Sequence, residues 1–241
     1  MDDKALSAAL SRRRFIAGAA GAVASLGLGV RSLSSVPVAL ASVPQSQGVI
    51  VPDPSLCIGC LTCEVACSRW HAEQGRSGLP RIRVVVDPKV KPAQEILARY
   101  PLAGSFTQFP CKMCPSPECQ PVCPVNAIQF EQSSAKGYVP GARYIDESKC
   151  IGCGKCYDSC PYKTEGVVPD TETELRTKRV VGLDRVKNVY VKCDLCRGRA
   201  EGPICVERCP INIAIRENRI KSDHLCLDLK PVTETLFKGL P

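Results

Sequence analysis

Aromatic and histidine side chains are scarce in this chain of 241 residues. Phe, Tyr and Trp together make up 5% of the residues, Trp70 is the single tryptophan, and His71 and His224 are the two histidines. Large side chains that normally fill a hydrophobic core are therefore few. We expect bonds between cysteine and metal to supply part of the folding free energy, so the metal-free chain should be unfolded or molten.

Signatures of catalysis and of nucleotide binding are also missing. The sequence shows no nucleophile with a paired base and no Gly-rich loop that would cradle a phosphate, so the chain is not expected to turn over substrate alone. We interpret His71 as a residue of a helix surface or a partner contact rather than a ligand. The formal net charge is +8, but no basic run exceeds Arg12-Arg13-Arg14, which argues against a nucleic-acid partner.

Long apolar runs are absent too. The weakly apolar stretch at residues 16–30 spans about 15 residues, fewer than the ~20 that cross a bilayer. Before it, Ser11-Arg12-Arg13-Arg14-Phe15-Ile16 matches the twin-arginine export pattern, and Ala39-Leu40-Ala41 offers a cleavage site. We predict a signal peptide at residues 1–41 and a mature chain from Ser42; an uncleaved membrane anchor is the alternative.

Cysteine, in contrast, is abundant, with seventeen residues. Cys226 stands alone, and we interpret it as a buried, inert thiol. Because the twin-arginine route exports folded proteins, metal can occupy the other thiols before they meet an oxidising compartment; a disulfide framework is the alternative. Those sixteen form four groups of four: Cys57, Cys60, Cys63 and Cys67; Cys111, Cys114, Cys119 and Cys123; Cys150, Cys153, Cys156 and Cys160; Cys193, Cys196, Cys205 and Cys209.

The spacing within these groups is typical of iron–sulfur cubanes. In Cys-x2-Cys-x2-Cys, three thiolates wrap one cluster, while a fourth cysteine at the end of a short helical turn ligates the partner cluster. A proline after the fourth cysteine ends that helix. Two groups lengthen the loop, with four residues before Cys119 and eight before Cys205. Structural zinc and disulfides are alternatives, but neither requires this pattern.

The four groups read as repeated modules. Three end in Cys-Pro, and two of these continue into residues 125–128 and 211–214, which we predict as short extended segments. Strand-like segments precede the groups at residues 48–51 and 143–145. We predict that the first module's helix runs through Trp70 to Glu73. This order is the plan of bacterial ferredoxin, so we predict an α+β fold with two ferredoxin-like units, each holding two [4Fe-4S] clusters.

The details resemble the four-cluster, ferredoxin-like electron-transfer subunits of dimethyl sulfoxide reductase, formate dehydrogenase and related respiratory complexes. The resemblance covers about residues 48–216. It rests on Cys57-Ile58-Gly59-Cys60, on Cys111-x2-Cys114-Pro115-x3-Cys119-x3-Cys123-Pro124, and on Lys192-Cys193-Asp194-Leu195-Cys196 with Gly202-Pro203-x-Cys205-Val206-x2-Cys209-Pro210. The resemblance implies that the first and fourth modules pair, as do the second and third. It implies four ligand sets: Cys57, Cys60, Cys63 and Cys209; Cys193, Cys196, Cys205 and Cys67; Cys111, Cys114, Cys119 and Cys160; Cys150, Cys153, Cys156 and Cys123.

The resulting organisation is one four-cluster region at residues 42–241. Modules 1 and 4 span about 48–72 and 190–216, modules 2 and 3 about 106–165, and the insertions about 73–105 and 166–189. Within the insertions we predict a strand at Arg81–Val86, a helix at Ala93–Tyr100, and Val-rich strands at Val180-Val181 and Val189–Val191. The tail after Ile215 is expected to pack against a partner or over the modules.

The resemblance implies a non-catalytic electron-transfer subunit of a respiratory complex, and the export signal predicts that this complex faces the periplasm. Its expected partners are a membrane quinone-interacting subunit, a multihaem cytochrome, or both; a molybdenum or tungsten pterin catalytic subunit is the alternative. The chain's own export signal favours the quinol-linked type. A different class is a non-redox assembly or scaffold protein with structural clusters. Four basic residues near the ligands could raise cluster potentials or be ordinary solvated charges: Lys112, Lys155, Arg197 and Arg199.

Overall fold

The computed structural model describes residues 44–162 and 181–232. The predicted export signal at residues 1–41 lies outside these residues, as does most of the second predicted insertion, including Val180. Within the described ranges, no helix is long and apolar enough to cross a membrane.

The described strands pair into antiparallel sheets of two strands each. The small sheets and short helices agree with the predicted mixture of α and β structure. The pairs are β1 (Val49–Pro52) with β8 (Leu227–Lys230), β2 (Arg83–Val86) with β3 (Phe106–Phe109), β4 (Ile128–Phe130) with β5 (Arg143–Ile145), and β6 (Gly182–Asp184) with β7 (Val189–Val191).

The helices are short apart from the first, and a single 3-10 turn at Pro54–Leu56 precedes them. In the helix at Thr62–Glu73, the buried residues Cys63, Cys67 and His71 recur every four positions and therefore share one face. That face packs against the helix at Ile204–Arg208. The prediction that this helix continues to Glu73 is confirmed. The helices are α1 (Thr62–Glu73), α2 (Gln94–Arg99), α3 (Lys155–Asp158), α4 (Ile204–Arg208) and α5 (Pro210–Arg216).

Helix α5 shows that the extended segment predicted at residues 211–214 is wrong. Pro210 occupies the first turn of α5, where a missing N–H is harmless and the fixed φ suits a helix. The Cys209-Pro210 pair therefore separates α4 from α5, and α5 begins at Pro210. Asn212, which is fully buried, donates from Nδ2 to the carbonyl oxygens of Val206 (2.8 Å) and Leu227 (2.7 Å), so its side chain ties α5 to β8.

The corresponding segment of the second module, residues 125–128, is also mostly not a strand. Asn126 has a left-handed backbone (φ 48°), and β4 begins only at Ile128. The lead-in strands are confirmed, since β1 covers residues 49–52 and β5 covers residues 143–145.

The first insertion folds largely as predicted. Strand β2 lies within the predicted Arg81–Val86, and α2 lies within the predicted Ala93–Tyr100. Ile82 and Ile96 are buried in the main core, which attaches the insertion to the modules. The predicted strand at Val189–Val191 is β7.

The tail after Ile215 packs over the modules, which was one of its two predicted placements. Strand β8 adds to β1 with Ile50 opposite Leu229, and Leu227 is buried in the main core. That core surrounds modules 1 and 4, while a smaller one, with Ile128 and Val181, lies beside the third module. The chain thus has two apolar centres, and cysteines line both.

Candidate metal centres

The structure brings the sixteen predicted ligand cysteines into four groups. Each group combines three cysteines of one loop with a fourth from another module, and the members of a group lie close enough to act on one another electrostatically. All sixteen are free thiols. We name the groups site 1 (Cys57, Cys60, Cys63, Cys209), site 2 (Cys193, Cys196, Cys205, Cys67), site 3 (Cys111, Cys114, Cys119, Cys160) and site 4 (Cys150, Cys153, Cys156, Cys123).

Sites 1 and 2 join the first and fourth modules. Burial raises the pKa of the Cys63 thiol, and negative charge on the other members of site 1 raises it further. Burial likewise raises the pKa of Cys205 well above its usual value, and charges on the other members of site 2 add to the effect. Cys63 of site 1 also acts on Cys205, so the two sites are neighbours.

Sites 3 and 4 join the second and third modules. Burial, followed by neighbouring thiolates of site 3, raises the pKa of Cys160 to about 11. Burial and the thiolates around it raise the pKa of Cys156 in site 4 to about 12, and Cys119 of site 3 is among these thiolates. Sites 3 and 4 are therefore neighbours as well.

An electrostatic interaction between Cys193 and Cys111 links the two pairs of sites. Burial first, and Asp194 second, raise the pKa of Cys193 in site 2, and Cys111 of site 3 also contributes. Because site 1 adjoins site 2, site 2 adjoins site 3 and site 3 adjoins site 4, the four sites form a series.

Backbone amides donate hydrogen bonds to the cysteine sulfurs. Such bonds favour the thiolate form that binds metal. The donors serve sites 1, 2 and 4: Gly59 N to Cys57 Sγ (3.5 Å), Arg81 N to Cys67 Sγ (3.3 Å), Ile204 N to Cys196 Sγ (3.4 Å), Ala127 N to Cys123 Sγ (3.2 Å) and Tyr190 N to Cys150 Sγ (3.3 Å).

Gly59 occupies a position that only glycine suits. Its φ of +69° is left-handed, and a Cβ there would lie 2.4 Å from the ring of Phe106. Phe106 begins β3 and packs against the main core, so it cannot easily move away. Glycine at this position lets the backbone N–H approach the Cys57 sulfur.

The donor set fits iron–sulfur clusters. Buried thiols with raised pKa values become thiolates only where positive charge compensates them, and coordinated iron provides such charge. Across residues 44–162 and 181–232, no three His, Cys, Asp or Glu side chains gather closely enough to hold a single metal ion.

Solvent reaches the series at its two ends. Cys60 of site 1 and Cys153 of site 4 are exposed, whereas every cysteine of site 2 is buried. An exposed apolar residue lies near each of these cysteines in sequence: Leu61, 47% exposed, directly after Cys60, and Ile151, 54% exposed, two residues before Cys153. Site 2 is thus covered by protein, while one cysteine at each end of the series is accessible.

The four basic residues named from the sequence differ in their surroundings. Arg197 is paired with Glu131, and Arg199 with Glu207. Arg199 still lowers the pKa of Cys196, although burial keeps that pKa raised overall. Lys112 lies close to the thiols of site 3, whereas Lys155 is exposed on α3.

His71 is not the helix-surface residue that the sequence suggested. It is 1% exposed, because the face of α1 that carries Cys67 carries His71 one turn later. Its Nε2 lies 3.0 Å from Asp194 Oδ1, and its Nδ1 lies 2.7 Å from the carbonyl oxygen of Cys67 and 3.6 Å from the Cys67 sulfur. The ring therefore connects Asp194 with a cysteine of site 2. Asp194 lies 123 residues away in sequence, so the pattern of α1 alone did not reveal it.

Sequence reasoning also missed two buried cations near site 3, Lys192 and Arg143. Lys192 was noted only as part of a motif, and Arg143 only as part of a predicted strand. The sequence offered one signal, which concerns Lys192. This residue directly precedes the ligand Cys193 at the end of an apolar strand, where a charged residue is unusual.

Two family models match the chain, both described as a 4Fe-4S dicluster domain. One covers residues 110–164, which hold the second and third cysteine groups, and the other covers residues 142–210, which hold the third and fourth.

Curated proteins of Escherichia coli K12 are similar over most of their length. "Electron transport protein HydN" is 32% identical over 196 residues, which cover 78% of this chain and 98% of that protein. "Formate hydrogenlyase subunit 2" is 31% identical over 179 residues (67% of this chain, 77% of that protein). "Hydrogenase-4 component A" is 31% identical over 188 residues (69% and 80%).

Proposed function

Because this chain belongs to the family of ferredoxin-like iron–sulfur electron-transport proteins, we propose that it relays electrons through four [4Fe-4S] clusters, one held by each site. The observation that carries the proposal is the sorting of sixteen thiols into four adjoining groups of four. A bound cubane accepts and releases single electrons, and its potential depends on charge, hydrogen bonds and exposure. The chain's own contribution is to bind the clusters, space them and shield them from water.

Electrons enter and leave at sites 1 and 4 in this proposal. The exposed sulfurs of Cys60 and Cys153 lie at opposite ends of the series, and the apolar residues Leu61 and Ile151 beside them suit contact with partner proteins. Sites 2 and 3 then act as internal steps, since burial of the site 2 cysteines keeps small oxidants away from the middle of the series.

We place the protein in a multisubunit oxidoreductase complex. Two of the relatives are named as a subunit of a formate hydrogenlyase and a component of a hydrogenase, which supports a role as one subunit among several. At the finer level we retain the likeness to the electron-transfer subunits of dimethyl sulfoxide reductase and formate dehydrogenase. The proposed partners are a membrane quinone-interacting subunit and a multihaem cytochrome, with a molybdenum or tungsten pterin subunit as the alternative.

The location we propose is the periplasmic side of the cytoplasmic membrane. The twin-arginine pattern at residues 11–16 is its support. Cell fractionation of the full chain tests it: the mature protein should reach the periplasmic fraction, and substitution of both Arg12 and Arg13 by Lys should leave an unprocessed precursor in the cytoplasm. Equal distribution of the wild type and this double variant would contradict the location without touching the electron-transfer role.

Reductive titration followed by low-temperature EPR tests electron transfer. Four adjoining clusters should give broadened, mutually coupled cubane signals as they are reduced in turn, and the partners that co-purify with the complex should reoxidise them. Clusters that remain uncoupled, and that no partner oxidises or reduces, would indicate a scaffold whose clusters serve folding alone.

A further inference from the structure

Two basic side chains are buried where site 2 meets site 3. Lys192 is 2% exposed and Arg143 is 1% exposed. A buried charge is costly unless opposite charge or hydrogen bonds compensate it, so each of these side chains needs partners within the protein.

Most hydrogen-bond acceptors of these two cations are neutral backbone oxygens, and Lys192 also bonds to the side chain of the site 3 residue Cys111. Lys192 Nζ donates to the carbonyl oxygens of Arg143 (2.6 Å) and Cys193 (3.2 Å). Arg143 Nη2 donates to the carbonyl oxygens of Pro44 (3.2 Å) and Pro115 (3.3 Å). Its Nε and Nη1 are buried and have no hydrogen-bond acceptor among the described residues. Carbonyl oxygens satisfy donors but do not neutralise a full positive charge.

The negative charge near Lys192 and Arg143 comes from the cysteines. Lys192, whose Nζ donates to the carbonyl oxygen of Cys193 (3.2 Å), lies in the field of the Cys111, Cys119 and Cys193 sulfurs. Arg143 lies in the field of Cys111, Cys114 and Cys119 of site 3, although burial holds its pKa below the usual value. Lys192 therefore faces thiolates of both sites 2 and 3, and Arg143 faces site 3.

The backbone holds these positions firmly. Arg143 opens β5, and its N–H contacts the sulfur of Met113 (3.4 Å), a fully buried residue between two site 3 cysteines. Lys192 directly follows β7 and directly precedes the ligand Cys193. Both cations are buried at strand ends, so each charge has a defined position relative to the sulfurs around it.

We infer that Lys192 and Arg143 form a fixed cationic bridge that raises the reduction potentials of the clusters in sites 2 and 3 and weakens the repulsion between them when both are reduced. The bridge consists of these two side chains, and the inference rests on the proposed function. Reduction adds one negative charge to a cluster, and a nearby positive charge in a poorly polarisable interior stabilises that charge. Lys192 acts on both sites and Arg143 on site 3, so these are positioning residues for electron transfer.

The test compares reduction potentials in the intact, anaerobically purified protein by EPR-monitored redox titration. In Lys192→Met, the equilibrium constant for one-electron reduction should fall at least tenfold for two of the four clusters. The reduction potentials of these two clusters should therefore fall by about 59 mV or more. Lys192→Arg, which keeps the charge, should stay within threefold of wild type. The matched control is Lys155→Met, because Lys155 also precedes a ligand cysteine but is exposed; it should change no potential by more than threefold.

Each outcome decides between a cationic and a purely structural role. Wild-type potentials in Lys192→Met with full iron and sulfide, or an equal shift in Lys155→Met, would overturn the inference. If Lys192→Met loses iron while Lys192→Arg retains it, a positive charge at this position is required and the inference is supported. If both variants lose iron, the side chain acts through packing and the inference is overturned. A wild-type protein without iron and sulfide would instead refute the proposed function, before any variant is compared.

Discussion

Removal of the Asp194 carboxylate should loosen site 2 without removing any cysteine. This carboxylate, 7% exposed, joins three elements: Oδ1 accepts from His71 of α1 (3.0 Å) and from the N–H of Cys196 (3.0 Å), and Oδ2 accepts from Arg76 (3.1 Å). Asp194→Ala would leave the buried His71 Nε2 and the buried Cys196 N–H without their acceptor.

The expected cost follows from the burial of the partners. A buried donor left without its acceptor costs about 1–3 kcal/mol, and Asp194→Ala would leave two such donors. The Arg76 pair contributes little, because Arg76 is 30% exposed and solvent screens it. We therefore expect Asp194→Ala to destabilise the protein by about 3 kcal/mol, which lowers the melting temperature of a chain this long by about 6–12 °C. Asp194→Asn keeps an acceptor oxygen and should lose about half as much.

The assay is thermal bleaching of the cluster absorbance in anaerobic buffer at one fixed scan rate, because unfolding that releases iron is irreversible. Asp223→Ala is the control, since Asp223 is exposed and its replacement should change stability by less than about 0.5 kcal/mol. If Asp194→Ala bleaches at the same temperature as Asp223→Ala with its full iron content, the His71–Asp194 connection does not stabilise site 2 and the reasoning fails.

Three further substitutions test the geometry. Cys67→Ser should disturb site 2 and spare site 1, although Cys67 follows site 1 cysteines in sequence; loss of the site 1 EPR signal instead would refute the grouping. Gly59→Ala should lower the melting temperature more than Gly75→Ala, because both glycines have a left-handed φ but only Gly59 faces the Phe106 ring. Equal decreases in melting temperature would show that backbone strain alone matters. Cys226→Ala should retain all iron yet lower the reduction potential of site 1. Hydrogen bonds from Cys226 stabilise negative charge on Cys57 and Cys209, as the lowered pKa values of these two thiols indicate. An unchanged potential would show that Cys226 is an inert, buried thiol.

The cysteine pattern made the sites predictable because ligand spacing is a local property. A loop of Cys-x2-Cys-x2-Cys constrains which sulfurs can face one volume, and the buried face of α1 follows from Cys63 and Cys67 at a four-residue spacing. The lead-in strands and the first insertion were predictable for the same reason, since alternating or periodic apolar residues mark them. Which module supplies the fourth cysteine came from family resemblance and not from spacing.

Interactions between distant segments were not predictable from one sequence. His71 was expected at a surface, yet Asp194 buries it through a contact across more than a hundred residues. Residues 211–214 read as extended because of their β-branched composition, but Pro210 and the Asn212 bonds to Val206 and Leu227 favour a helix. Such tertiary contacts outweigh local secondary-structure propensity, and they become visible only in the folded structure.

The central claim is that each group of four thiols holds a cubane. Chemical determination of iron and acid-labile sulfide in protein matured and purified without oxygen tests it most directly. The account predicts about sixteen iron and sixteen sulfide per chain. A folded chain that carries zinc or cystine bridges in place of iron and sulfide would contradict it.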